Sequence, residues 1–149
     1  MADTDAATDE TTAVATGSCL CGAVAFRISG GFDAFFLCHC SRCRKASGSA
    51  HGANLFSSRA QLTWVSGHEA VRTFQVPQTR HRRAFCSICG AAVPNQQLGG
   101  SLLVVPAGSL DTPIDARPDA HIFCASRAEW DHALEDVALL PGPPGSDPP

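Results

Sequence analysis

The chain has 149 residues, 44% of them hydrophobic and 17% charged, with a formal net charge of -3 at pH 7. This is the size and balance of one globular domain, and it excludes a disordered or fibrous chain. The slightly acidic charge offers nothing overall to nucleic acid or an anionic membrane, and no apolar run is long enough for a spanning helix.

Residues 1–16 carry Asp3, Asp5, Asp9 and Glu10 and lack an apolar centre. They read as a disordered acidic tail and not as a signal peptide, so the expected compartment is the reducing cytoplasm. Eight cysteines in such a compartment call for a use other than disulfides. The first two are Cys19-Leu20-Cys21, followed by Gly22. A strand is expected next, because Val24, Phe26 and Ile28 alternate with Ala23, Ala25 and Arg27 at the period of a half-buried strand.

After the Gly30-Gly31 turn comes Cys38-His39-Cys40-Ser41-Arg42-Cys43, three thiols within six residues. A short helix is expected from about Ser41 to Ala46, a stretch without Gly or Pro. Strands are then expected over His51–Phe56, Gln61–Val65, Val71–Val76, Arg82–Cys86, Leu102–Val105 and His121–Cys124. Ser66-Gly67, Pro77, Gly99-Gly100 and Pro113 supply the turns. Short strands at this spacing argue for an all-β sandwich or barrel. Residues 141–149 (PGPPGSDPP) read as a Pro/Gly-rich tail, which leaves one domain over 17–140. A Gly-rich phosphate loop and a G-x-S-x-G elbow are both missing, so nucleotide binding and serine hydrolysis have no support.

The cysteines group by spacing. Cys86-Ser87-Ile88-Cys89, again followed by glycine, is the distant partner of Cys19 and Cys21. Two close thiolate pairs suit a tetrahedral zinc with no open position, a structural site. A thioredoxin-type redox role for Cys86 and Cys89 needs a βαβ context that the sequence lacks. Cys38, Cys40 and Cys43 offer three thiolates on one turn, the pattern of a zinc that keeps one position open for water or an incoming thiol. The competing reading is a second structural zinc completed by His39, His51 or Cys124. His39 itself is a packing or hydrogen-bonding residue, or a proton-transfer group. Cys124 is expected as a small buried hydrophobe. Arg42, Arg44 and Lys45 lie beside the open site and could grip carboxylates; Arg80, Arg82 and Arg83 form a further basic run. Trp64 and Trp130 are expected in the core.

The segments Gly17–Phe26 (GSCLCGAVAF), Cys38–Gly52 (CHCSRCRKASGSAHG), Phe85–Gly90 (FCSICG), Val105–Leu110 (VPAGSL) and His121–Trp130 (HIFCASRAEW) together make the chain resemble the glutathione-dependent formaldehyde-activating family, also called the GFA or CENP-V domain family. The resemblance implies a mostly β, Mss4-like fold of zinc-stapled antiparallel sheets. It implies a structural zinc on Cys19, Cys21, Cys86 and Cys89, and a second zinc on Cys38, Cys40 and Cys43, two Zn2+ per chain. It also implies glutathione as the thiol partner, and a carbon–sulfur lyase activity that joins it to formaldehyde as S-hydroxymethylglutathione. The alternatives are a module that binds glutathione or zinc without turnover, and an interaction module with two structural zincs.

Overall fold

Alternation of apolar and polar side chains drives most of this chain into strands. In a computed structural model describing residues 14–147, these are β1 (Val14–Ser18), β2 (Ala25–Ser29), β3 (Ala34–Cys38), β4 (Gly52–Ser57), β5 (Gln61–Ser66), β6 (Val71–Gln75), β7 (Arg82–Cys86), β8 (Ala92–Val93), β9 (Asn95–Gln97), β10 (Leu102–Pro106) and β11 (Ala120–Ile122). One α-helix, α1 (Ser41–Ser47), and several single 3-10 turns complete the described residues. The fold is mostly β, as expected.

The strands form three sheets, ordered β1-β2-β5, β11-β3-β4-β10-β9 and β6-β7-β8. Their pairings are antiparallel except that of β11 with β3, which is parallel. All three sheets feed one core. Phe26 and Ile28 come from the first, Leu55, Leu103 and Val105 from the second, and Ala84, Cys86 and Val93 from the third. The alternation in β2 is as expected: Phe26 and Ile28 are buried, while Arg27 between them is exposed. Trp64 packs edge-on against Phe26, with ring centroids 6.1 Å apart, so its expected core role holds. Trp130 is instead 64% exposed, because the segment that carries it runs over the surface.

One further expectation changes, at the N-terminal end. β1 begins at Val14 and buries Ala15, so residues 14–16 of the expected tail belong to the sheet. The remainder of that tail lies outside the described residues. Residues 141–147 carry no strand or helix. Among the described residues no helix is long and apolar enough to cross a membrane.

The five-stranded sheet positions the site, and period 2 explains how. In β4 and β10, Leu55, Leu103 and Val105 point into the core, so Asn54, Phe56, Leu102, Val104 and Pro106 lie on the opposite face. That face floors a cavity.

Candidate metal centres and the cavity beside the second

Two knuckles build the first cluster. Cys19 follows β1 and Cys86 ends β7. The Cys19 N–H donates to the Val24 carbonyl, and the Cys86 N–H donates to the Ala91 carbonyl, each over five residues and at 2.9 Å. Both turns need a glycine. Gly22 has φ 83° and Gly90 φ 78°, a left-handed conformation that a side chain would strain. The knuckles bring the sulfurs of Cys19, Cys21, Cys86 and Cys89 within 4.8 Å of one another. The Val24 N–H donates to Cys19 Sγ at 3.2 Å and the Ile88 N–H to Cys86 Sγ at 3.4 Å.

Electrostatics favours charge on part of this set. The Ala91 N–H holds the Cys89 thiol down at about 6. Burial raises the Cys19 thiol, but the Val24 N–H and the neighbouring sulfurs leave it below the ordinary value. The Ala23 N–H pulls Cys21 down, yet burial and its sulfur neighbours push it up to about 11. Four thiols this close cannot all ionise alone, because each new charge repels the others. A divalent cation removes that conflict, and four converging sulfurs suit zinc. Cys19 and Cys86 also belong to the hydrophobic core, so the cluster is continuous with the packing of the fold.

The second cluster sits where β3 meets α1. Cys38 is the last residue of β3, and Cys40 caps the helix, its sulfur accepting from the Cys43 N–H at 3.4 Å. Cys43 follows one turn in. Gly52 of β4 lets the helix come close, since a Cβ there would stand 3.3 Å from Cys43 Cβ. The three sulfurs lie within 4.8 Å of one another, and among the described residues no fourth Cys, His, Asp or Glu joins them. Burial, and then the neighbouring thiols, push Cys43 up; burial also raises Cys38. Cys40 ends below its ordinary value, because the Cys43 N–H and the adjacent thiols outweigh its burial. This donor set also suits a divalent zinc, with one tetrahedral position left over.

All three cysteines line a cavity of about 550 Å³. Arg42, Arg80, Arg82 and Arg83 line it too. Arg83 is anchored, donating to the Ala46 carbonyl at 3.0 Å with its guanidinium over the Phe85 ring. His81, another lining residue, is lowered first by burial and then by repulsion from Arg42 and Arg83, which marks this wall as electropositive. A neighbouring cavity of about 600 Å³ shares Arg80, Arg82, Gln97 and Leu98 but has no cysteine in its lining.

The residues singled out from sequence separate here. Arg42 lines the cavity; Arg44 and Lys45 do not. Cys124 is exposed and stands outside both clusters, so it is neither a buried hydrophobe nor a ligand to them. His39 is 1% exposed and turned toward other partners. Its Nε2 pairs with His121 Nδ1 at 2.8 Å, and its Nδ1 lies 3.1 Å from Asp131 Oδ2. His51 packs against it at 5.2 Å between ring centroids, and burial followed by its histidine neighbours lowers its pKa. His121 belongs to a segment the sequence picks out and Asp131 does not, but only the fold brings either of them to His39.

These features define a mostly β protein with two cysteine clusters able to hold metal ions, one closed and one opening on a basic cavity. Residues 14–126 match the family described as glutathione-dependent formaldehyde-activating enzyme. A protein of Halomonas elongata, provisionally named a glutathione-dependent formaldehyde-activating enzyme, is 32% identical over 124 residues, covering 76% of this chain and 77% of its own. The crystal structure of a Rhodobacter sphaeroides protein, a structural-genomics target, is similar with a TM-score of 0.52 at 25% identity, covering 71% of this chain and 98% of that one. The chain belongs to the glutathione-dependent formaldehyde-activating enzyme family.

Proposed function

We propose that this protein is a zinc-dependent carbon–sulfur lyase that joins glutathione to formaldehyde as S-hydroxymethylglutathione. One observation carries the reading: a cluster of three sulfurs, without a fourth donor among the described residues, lines a cavity walled by arginines. Cys38, Cys40 and Cys43 would hold one zinc, and Cys19, Cys21, Cys86 and Cys89 a structural one. Zinc held at the second cluster would lower the pKa of a thiol that joins its three sulfurs. The acting unit is the domain expected over 17–140, extended to Val14 by β1. Its free thiols suit a reducing cytoplasm.

The chain's own residues do the rest. Arg42, Arg80 and Arg82 attract and orient the thiol's carboxylates, since a guanidinium can donate two parallel hydrogen bonds to one carboxylate. Arg44 and Lys45, away from the cavity lining, contribute to the surrounding positive field. His39 holds the cysteine loop in place through His121 and Asp131. In the reaction the sulfur's electron pair forms the S–C bond, the carbonyl π pair moves to oxygen, and that oxygen takes up the proton the thiol loses. No oxidant or reductant is needed.

X-ray absorption at the zinc edge, with and without glutathione, tests this. The mean sulfur count per zinc should rise from about 3.5 toward about 4, as a fourth sulfur joins at about 2.3 Å. An unchanged spectrum at saturating glutathione would sink the thiol reading. A changed spectrum without formaldehyde consumption would favour a binding module.

A further inference from the structure

Among the described residues four non-glycines adopt the left-handed conformation: Gln78, Leu98, Phe123 and Ala133. For a bulky side chain that conformation is a genuine outlier, and such strain collects at functional sites. The two bulky apolar members of the set, Leu98 at φ 52° and Phe123 at φ 57°, both line the cavity that holds Cys38, Cys40 and Cys43. Both are also exposed, Leu98 by 54% and Phe123 by 65%, so core burial does not account for their strain.

Phe123 is held in this state from both sides. Ile122 pairs in register with Cys38, and its carbonyl accepts from the His39 N–H at 2.9 Å. The Phe123 carbonyl accepts from the Ser126 N–H at 3.0 Å, closing the next turn. The Phe123 backbone is thus held one residue beyond the pairing of Ile122 with Cys38. Leu98 follows β9, at the other edge of the same sheet from β11. The strained pair therefore marks the two ends of the cavity, with Phe123 at the sulfur end.

We propose that Phe123 is a substrate-covering residue whose ring closes over the sulfur of the thiol bound at the second cluster and keeps water from the reacting sulfur and aldehyde carbon. This rests on the thiol reading above. Water opposes the reaction twice: it solvates a thiolate, and it hydrates a small aldehyde to a diol that is no longer electrophilic. An apolar cover beside the sulfur counters both effects. The exposed ring also gains a partner it otherwise lacks, because contact with the thiol's CH₂ buries apolar surface.

The test uses the zinc-loaded protein, with isothermal titration of glutathione and of 2-mercaptoethanol, and thermal melting, for wild type, Phe123→Ala and Phe123→Gly. Both variants lose the ring, but only glycine accepts the positive φ without strain. Phe123→Gly should therefore melt about 2–4 °C above Phe123→Ala. Both variants should bind either thiol about tenfold more weakly than wild type, since both thiols place sulfur at the same end. Wild-type affinity in the variants would overturn the cover while leaving the thiol reading intact. A loss confined to glutathione would place the ring over the distal part of the thiol and also overturn it. Wild-type protein that binds neither thiol would overturn the thiol reading and the cover together.

Discussion

His39 Nδ1 and Asp131 Oδ2 lie 3.1 Å apart in a place almost closed to solvent, with His39 1% and Asp131 8% exposed. The pair ties the surface segment after β11 to the loop between Cys38 and Cys40. Arg127 Nε lies 3.7 Å from the same carboxylate oxygen, a contact within the segment itself. Asp131→Ala would remove the carboxylate that faces the buried imidazole, a loss on the order of 1 kcal/mol. We expect thermal melting to show that loss, and zinc retention during dialysis to fall selectively at the second cluster. Full stability with full retention would show the pair to be idle.

The two cysteine clusters should respond differently to the loss of one sulfur. The first joins β1 to β7 across more than sixty residues of chain and reaches into the core through Cys19 and Cys86. Metal binding of this kind contributes directly to folding free energy. Cys89→Ser should lower the melting temperature sharply and broaden the transition. Cys43→Ser, in a turn closed by local contacts, should give a folded protein holding about one zinc. Metal analysis after desalting, paired with melting curves, separates the two. Equal damage from both substitutions would contradict this division of roles.

Asp33 predicts an acid-dependent contribution. Its Oδ2 accepts from the Ser58 N–H at 2.7 Å and from the Ser58 hydroxyl at 2.8 Å, and Arg59 Nε lies 3.4 Å from Oδ1. The Ser58 N–H foremost, and then its hydroxyl, hold the carboxyl below the ordinary carboxylate range. The folded chain thus binds this proton less readily than the unfolded chain, and stability rises with pH. The contribution is complete above about pH 4 and is lost as pH falls through the lowered value. Asp33→Asn should melt below wild type at pH 7, and the difference should shrink toward pH 2. A difference that stayed constant would point to the hydrogen bonds alone.

Gly67 offers a backbone test. It has φ 73°, and a Cβ built there would press into the Ala23 carbonyl, which cannot swing away as a side chain can. Gly67→Ala should cost on the order of 2–4 kcal/mol, combining strain and overlap. The neighbouring Ser66→Ala removes only a hydroxyl that donates to the same carbonyl at 3.2 Å, and serves as the mild comparison in the same melting series.

The parts of this protein that the sequence discloses are those built from local pattern. Both clusters are recognisable because their cysteines sit one or two residues apart, with glycine after each pair of the first. β2 and β7 follow from alternation or from clear bounds. β3 lacks this signal, because Phe35-Phe36-Leu37 is a continuous apolar run with no alternation, as suits a strand half-buried on both faces. β8 and β9 are too short for any period to show, and Pro94 separates them. The basic wall is the instructive case. Arg42, Arg44 and Lys45 all lie beside the cluster in sequence, but of these only Arg42 lines the cavity, and β7 with the turn before it supplies Arg80, Arg82 and Arg83 from far along the chain. His121 and Phe123 fall in a segment that pattern and resemblance both pick out, but pairing of β11 with β3 alone brings them to the second cluster, and Asp131 has no local signal at all. Cys124 and Trp130 resemble core residues by type, yet the irregular surface segment that carries them gives them nothing to pack into.

The separation of the two cysteine sets along the chain has a temporal side. During synthesis the thiols of 38–43 emerge together, and their loop can meet a metal while β4 is still unmade. The other set stays half-built until Cys89 has left the ribosome, a matter of seconds later at roughly 5–20 residues per second. Over that interval Cys19 and Cys21 are two nascent thiolates without their partners, open to any passing metal or oxidant. An ion taken up during synthesis would thus reach the locally built cluster first and the cluster that joins distant strands last.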